Sequence, residues 1–480
     1  MSEVKTQEFQ RASAKALADA KLQSLLGRSM GTFDSARQKA IEELTPQRWE
    51  EMREKGRAIK RHTLDNLDYY LELLYERVTQ NGGQVHFARD AQEARNIVGQ
   101  IARSRGLKLA IKSKSMVSEE MDLNPYLEEM GVEPVETDLG EYIIQLAQET
   151  PFHIIAPAMH KTKEDVSQLF EEKIQRPNLK SIEEMAGAAR EVLREKLVNA
   201  DMGITGANFL VAETGTLVLV TNEGNGRFCT SVPRVLVSIT GMEKLIPSLE
   251  DLSVFMRLLP RAATGQRITS YVTHVSGPRR SDDEDGPEEF HLVIVDNGRS
   301  RLLQDPDLRE SLYCIRCGAC LNICPVYRKV GGHAYGWVYP GPIGAVVSPV
   351  MVGLNKAKDL PHASSLCGAC RDVCPIKINI PRMLLKLRTQ LAESSDSTQR
   401  KVSISEKLMA KGYRRLMSSP KLLSLTHRLG RLAQRPLLRK GLIRTIPFPP
   451  FSRWTRSRDL PPLASKPFRQ IWAEKLGKER

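Results

Sequence analysis

The chain has 480 residues, is 41% hydrophobic and 27% charged, and carries a formal net charge of +14. At roughly 100–200 residues per domain this predicts two to four domains, and the ordinary composition excludes wholesale disorder and collagen-like repetition. Apolar runs such as 343–347 fall far short of the ~20 residues that cross a bilayer. The opening Met-Ser-Glu-Val-Lys-Thr-Gln-Glu lacks an apolar signal core, so a cytoplasmic chain with reduced thiols is expected. The charge is lopsided: residues 381–480 hold 24 Lys+Arg against 6 Asp+Glu, a balance of +18 that leaves −4 for residues 1–380. A basic tail on a slightly acidic body argues against a nucleic-acid-binding protein and turns attention to what the tail touches.

In chain order, residues 8–80 read as helices, with Leu64, Leu67, Leu71 and Leu74 at three- and four-residue spacing. Asn81-Gly82-Gly83 is a turn. Strand-like stretches at 84–88, 107–112, 132–136 and 153–157 then alternate with helical patterns at 91–104, 118–130 and 141–148. This alternation predicts a parallel α/β sheet. After a helix near 182–199 come strand-like stretches at 209–213, 216–221, 235–240, 268–275 and 290–295, the last two joined by a polar loop at 276–289. A boundary near 300 gives an α/β domain over 1–300, a cysteine region over 301–390 and a basic helical region over 391–480. Ser394-Ser-Asp-Ser-Thr398 is a linker, helices are expected within 408–442, and Pro447, Pro449, Pro450, Pro461 and Pro462 mark an irregular end.

Of eight cysteines, seven form two clusters and Cys229 stands apart as a core residue. Cys314, Cys317, Cys320 and Cys324 followed by Pro325 have the spacing C-x2-C-x2-C-x3-C-P, that of bacterial ferredoxins holding [4Fe–4S] clusters. Three thiolates two residues apart can grip three corners of a cube, and the fourth ligates the neighbouring cluster. The second motif runs Ser364, Cys367, Cys370, Cys374, Pro375, with Ser364 where a first cysteine would stand. Crossing the fourth ligands predicts one site of Cys314, Cys317, Cys320 and Cys374 and another of Cys324, Cys367 and Cys370. The second takes a non-cysteine ligand, for which Ser364 is the candidate, or holds a [3Fe–4S] form. Two [4Fe–4S] clusters are the expectation. Seven cysteines in this pattern do not parse as zinc-binding pairs. The 42-residue spacer at 325–366 resembles the helical two-cluster domain of iron–sulfur subunits in succinate and glycerol-3-phosphate dehydrogenases. Two clusters in one small domain form a wire, which implies a donor and an acceptor elsewhere.

Polar runs stand where strands should end: 112–116, 136–141, 156–161, 206–208, 212–216 and 222–225. Open α/β sheets build their sites at such places. Lys112, Lys114, His160 and Lys161 are candidates for binding a carboxylate. Glu213 and Glu223 are candidates for acid–base work or for satisfying turn amides. His62, His86 and His153 read as structural. There is no G-x-G-x-x-G or Walker A sequence, so a nucleotide fingerprint is absent.

These runs together with the cysteine motifs resemble the lactate utilization protein B family over nearly the whole chain. The resemblance implies an N-terminal domain similar in fold to ribose-5-phosphate isomerase and CoA-transferases, a helical dicluster domain and a basic helical tail. The family's ligand pattern, three-cysteine second site included, maps onto the cysteines above. The resemblance further implies an iron–sulfur electron-transfer subunit of a complex oxidising L-lactate to pyruvate, supporting growth on lactate, non-catalytic by itself or sharing a site with its partners. Those partners are a cysteine-rich iron–sulfur protein and a smaller lactate utilization domain protein; the electron acceptor is not identified by the resemblance. The alternatives are an iron–sulfur subunit of another 2-hydroxy acid dehydrogenase, a stand-alone enzyme acting on a sugar phosphate or thioester with regulatory clusters, and a scaffold whose clusters are structural. In the tail, Leu408, Met409, Leu416, Leu422, Leu423, Leu425, Leu429 and Leu432 alternate with Arg414, Arg415, Lys421, Arg428 and Arg431. A basic amphipathic helix of this kind can pack over its own domain, dock on an acidic partner or lie on the anionic inner face of the membrane.

Overall fold

The structure, a computed structural model, describes residues 4–393, 404–448, 451–456 and 458–476. The chain divides into two compact units at residue 400. The cysteine region therefore belongs to the same unit as the α/β region, and residue 300 marks a change of architecture within it. The expected linker at 394–398, Pro449 and Pro450 lie outside the described residues.

Ten strands build the first unit: β1 Gln84–Ala88, β2 Leu109–Lys112, β3 Glu133–Glu136, β4 Met202–Thr205, β5 Phe209–Val211, β6 Thr216–Thr221, β7 Val235–Gly241, β8 Leu245–Ile246, β9 Tyr271–Val275 and β10 Glu289–Val295. Six of them form an all-parallel sheet in the order β1-β10-β7-β4-β2-β3. β4 and β7 are buried at every residue, as expected for central strands of a sheet covered on both faces. The order reverses at β2, whose neighbours are β3 on one side and β4 on the other, and such a reversal opens a crevice beyond the carboxyl ends of the strands. The remaining four strands form a smaller sheet, β8-β5-β6-β9, built on the antiparallel β5–β6 pair.

Several elements depart from the sequence expectation. No strand forms at 153–157. There the buried His153 ring does the work of a ladder: its Nδ1 accepts from Ile155 N (3.1 Å) and Ala156 N (3.3 Å), and its Nε2 meets Asn322 Oδ1 at 3.0 Å. Burial pushes the ring's pKa down to about 3, so it stays neutral and can accept. The helix expected over 118–130 breaks at Asp122, which is left-handed (φ 50°), into Met116–Glu120 and Leu123–Glu129. β4, β8 and the helices Lys163–Ile174 and Leu249–Thr264 were not expected. β4 is only four residues long and contains Gly203, where a Cβ would stand 1.9 Å from the Cys229 carbonyl oxygen. Pro260 lies inside Leu249–Thr264 and masks its helical pattern.

Residues 301–390 hold helical elements and no strand among those described. Helix Gly341–Val352, buried from Gly341 to Pro349, occupies the spacer between the two cysteine motifs. The second unit contains the helices Ile404–Met417 and Pro420–Gln434, followed by a short hairpin of Leu438–Arg439 with Leu442–Ile443. Leu408, Met409, Leu425, Leu429 and Leu432 are exposed on these helices. No described helix is long and apolar enough to cross a membrane.

A buried ion network joins the α/β elements to the cysteine region. Arg299, fully buried, grips Glu120 with two bonds of 2.9 Å and Glu243 Oε2 at 2.6 Å. Tyr339 donates to Glu120 at 2.6 Å, and Arg316 lies over the Tyr339 ring, 4.4 Å from its centre, with Nη2 3.5 Å from Glu243. Removing one member of such a network leaves charges buried and uncompensated, at a cost of about 3–5 kcal/mol. Arg299→Met should therefore lower the free energy of unfolding, measured by denaturant titration, by that order. Arg299→Lys should recover only part of it, since one ammonium cannot reproduce the planar fork.

Candidate functional site

The two cysteine motifs fold into the same loop. In the first, Arg316 (φ 59°) and Gly318 (φ 74°) are left-handed; in the second, Leu366 (φ 56°) and Gly368 (φ 89°) are left-handed at the matching positions. Each glycine opens a short helix, Ala319–Ile323 or Ala369–Asp372, which carries the third cysteine of its triplet. Cys314 Sγ accepts from Arg316 N at 3.4 Å, and Ser364 Oγ accepts from Leu366 N at 3.1 Å. Ser364 thus stands in the structural place of Cys314, and its hydroxyl caps the loop.

Cys314, Cys317, Cys320 and Cys374 line one cavity, walled by Ile154, Ile315, Ile343, Ile376, Ile378 and Ile380. Burial pushes the Cys374 thiol up to about 11, and it raises Cys317 and Cys320 further, helped by the neighbouring thiols. The other three thiols also act on one another: burial pushes Cys370 up to about 12, with Cys324 and Cys367 adding to it, and Cys324 is raised by burial and by Cys367. Free thiols so placed resist ionising; a multiply charged metal centre is what makes several adjacent thiolates tolerable. Soft sulfur donors in a dry apolar cavity fit an iron–sulfur cluster. Arg53 fastens the second loop to helix Pro46–Asp65, donating to Cys374 O from Nε (3.0 Å) and Nη2 (2.8 Å).

A second cavity, of about 430 Å³, opens at the crevice beyond β2 and β4. Lys114, Asp138, Asn208, Glu223, Glu243, Lys244, Arg316 and Tyr339 are on its walls. Arg316 and Ile154 line both this cavity and the cysteine cavity. Of the sequence-derived candidates, Lys114 and Glu223 meet here. Lys114 donates to Ile155 O (3.0 Å) and lies 3.5 Å from Glu141, while burial and the Asp138 charge raise the Glu223 carboxyl.

The other candidates go elsewhere. Lys112 is buried and bound to Glu136 and Asn124. Burial pulls its pKa down, but Glu136 and Glu119 outweigh that and hold it above the usual lysine value. It is a sealed ion pair without access to the crevice. His160 and Lys161 both hold Glu149 in a separate cavity, His160 Nε2 at 2.7 Å from Oε2. His333 joins them, with ligating atoms of Glu149, His160 and His333 within 4.8 Å of one another, yet the Lys161 ammonium already neutralises that carboxylate. Glu213 Oε2 accepts from Leu249 N at 3.3 Å and caps helix Leu249–Thr264. Lys244 and Tyr339 were not singled out by sequence, and Asn208 was marked only as part of the polar run 206–208. Arg316 was visible only as a filler position inside the first cysteine motif.

Residues 71–295 match the LUD domain family, 310–378 the 4Fe-4S dicluster domain, and 388–476 the family described as lactate utilisation protein B, C-terminal. Over 99% of its length the chain is 44% identical to the lactate utilization protein B of Bacillus licheniformis, covering 98% of that protein. The chain belongs to the lactate utilization protein B family. Other proteins of that name are similar: the one from Bacillus subtilis is 45% identical over 92% of this chain and 91% of its own, and the one from Bacillus cytotoxicus 47% over 91% of each. A solved structure of a DUF162 family protein from Deinococcus radiodurans covers 48% of this chain and 98% of its own at 14% identity, with a TM-score of 0.27. Within the lactate utilization protein B frame, the LUD match contains the six-stranded sheet and the dicluster match contains all seven clustered cysteines.

The interleaved thiols generate a direct test. Cys374→Ser should abolish the same electron paramagnetic resonance signal as Cys314→Ser, and Cys324→Ser the same one as Cys367→Ser. Identical losses from Cys320→Ser and Cys324→Ser would overturn the crossed assignment. Ser364→Ala should leave the spectrum unchanged while loosening the loop by about 1 kcal/mol in unfolding experiments. Ser364→Cys, in the place of Cys314, should give a cluster more resistant to oxygen; a changed spectrum in Ser364→Ala would instead make the serine a ligand.

Proposed function

We propose that this chain is the iron–sulfur electron-transfer subunit of a complex that oxidises L-lactate to pyruvate. The observation that supports the reading is one cavity lined by Cys314, Cys317, Cys320 and Cys374, with Cys324, Cys367 and Cys370 near enough to act on one another, in a chain whose full-length relatives are named for lactate utilization. In this reading Cys314, Cys317, Cys320 and Cys374 hold one [4Fe–4S] cluster. Cys324, Cys367 and Cys370 hold the other, as [4Fe–4S] with a non-cysteine ligand or as [3Fe–4S]. Bound there, the clusters supply one-electron carriage at potentials tuned by burial and by hydrogen bonds to sulfur.

The chain's own residues supply the tuning. Arg316 N and Tyr327 N donate to Cys314 Sγ (3.4 Å) and Cys324 Sγ (3.5 Å). Lys60, Lys244 and Arg316 bring positive charge within electrostatic reach of Cys314, which favours the more negative, reduced state there. The isoleucine walls keep water away. Oxidation of a 2-hydroxy acid to a 2-oxo acid releases two electrons and two protons, and two one-electron sites match that count. With no nucleotide fingerprint in the chain, the oxidising site belongs to the complex, shared with a cysteine-rich iron–sulfur protein and a smaller lactate utilization domain protein in the cytoplasm. The exposed apolar and basic residues of the C-terminal helices are the docking element for an acidic partner surface.

Anaerobic co-purification followed by addition of L-lactate tests this reading. Bleaching of the visible cluster absorbance is expected only when the partners are present. Bleaching by the chain alone would support the stand-alone alternative, and none with partners would overturn the proposal. Arg428→Glu combined with Arg431→Glu should lose the partners at unchanged iron content; retention of partners, or loss only of vesicle binding, would move the tail to another role.

A further inference from the structure

The crevice cavity keeps two buried charged-group atoms without a hydrogen-bond partner, beside a lysine that has no ion pair among the described residues. Lys244 is 8% exposed, lines the cavity, and makes no hydrogen bond or ion pair among the described residues. Arg316, whose side chain is 9% exposed, has Nη1 buried without a hydrogen-bond partner. Glu243, 1% exposed on the same wall, has Oε1 buried without a hydrogen bond, with Arg316 Nη2 3.5 Å away as its ion-pair partner. Burial pushes the Glu243 carboxyl up, but Arg299 and Arg316 outweigh it and hold it at about 2, so it is an ionised acceptor. Asn208 gives its Oδ1 to Val220 N (2.8 Å) and leaves its amide nitrogen without a partner among the described residues. Each buried polar atom without a hydrogen bond costs about 1–3 kcal/mol, and a native fold that keeps two at one cavity, Arg316 Nη1 and Glu243 Oε1, calls for a ligand that satisfies them.

We propose that this cavity binds a small 2-hydroxy acid, its carboxylate held by Lys244 and Arg316 and its hydroxyl donating to Glu243. The pattern of donors and acceptor selects the class. Two cations want an anion, yet an ionised carboxylate beside them repels a phosphate, a sulfate or a second carboxylate. A 2-hydroxy acid offers the missing complement on adjacent carbons: acceptors for the cations and one O–H donor for Glu243. The volume of about 430 Å³ leaves room for acids longer than lactate. Arg316 is also a wall of the cysteine cavity, so the carboxylate is seated next to the Cys314 set. The inference rests on the electron-transfer reading for the identity of the acid; the site itself rests on the residues above.

The test is equilibrium binding to the anaerobically purified full chain by calorimetry. Saturable binding of L-lactate is expected, with propionate, which lacks the hydroxyl, at least about tenfold weaker, because a site built to accept that hydroxyl is left unpaired without it. Lys244→Gln should weaken L-lactate binding at least about tenfold and Lys244→Arg should restore much of it, with iron content unchanged. No saturable binding to the wild-type chain, propionate binding as tightly as lactate, or full affinity in Lys244→Gln would each overturn the inference. Any of these could occur while lactate still bleaches the clusters in the presence of the partners, so this failure is distinguishable from that of the functional reading. The comparison of propionate with lactate uses the unaltered chain and does not depend on a variant folding.

Discussion

The placement of the cysteine loops against the sheet depends on one buried guanidinium. Arg299 lies just beyond β10, Glu243 just beyond β7 and Glu120 on the short helix after β2, so its two carboxylate partners come from separate parts of the α/β region. Tyr339 and Arg316 then extend the network into the cysteine region. Taking charges out of water is costly, and an apolar replacement of the whole set could be equally stable. What an apolar cluster would not supply is direction: fork-to-carboxylate geometry fixes where Glu243 stands, and Glu243 in turn holds Arg316, which lines both the cysteine cavity and the crevice.

How much could be read in advance follows from how local each signal is. The cysteine motifs are local in sequence, and the two loops repeat the same left-handed positions and the same sulfur- or oxygen-capped turn. Five of the six strands of the larger sheet and three of the four in the smaller one were legible from short apolar runs. Of the elements missed, β4 holds Gly203, which answers to the carbonyl of Cys229, β8 is only two residues long, and helix Leu249–Thr264 is interrupted in pattern by Pro260. The loop at His153 looked like a strand because its residues are buried; its amides are satisfied by one imidazole and not by a neighbour.

The candidate site was less legible, for a related reason. Lys112 and Lys244 are both buried lysines near strand ends, and no local pattern separates them. The difference is that Glu136, from the adjacent strand β3, neutralises Lys112, whereas Lys244 is left without such a partner. Only tertiary placement distinguishes a satisfied charge from an available one. The same holds for Glu213, spent on a helix end, against Glu243, which keeps one oxygen without a hydrogen bond on the crevice wall.

The left-handed residues in the loops carry a further cost, roughly 1–2 kcal/mol for each non-glycine, met by packing around Arg316 and Leu366. Exposure is shared unevenly among the thiols. Cys317, Cys320, Cys324, Cys370 and Cys374 are buried and Cys314 is half-buried; Cys367 is exposed. The array therefore has an inner terminus and an outer one. The inner terminus adjoins the crevice and is walled by isoleucine, while the outer one includes the exposed residue Cys367. A redox protein approaching from outside can come into van der Waals contact with Cys367 without any rearrangement of the fold, and an oxidant such as molecular oxygen has the same point of entry. Traffic with the exterior and vulnerability to air are thus two aspects of one exposed residue.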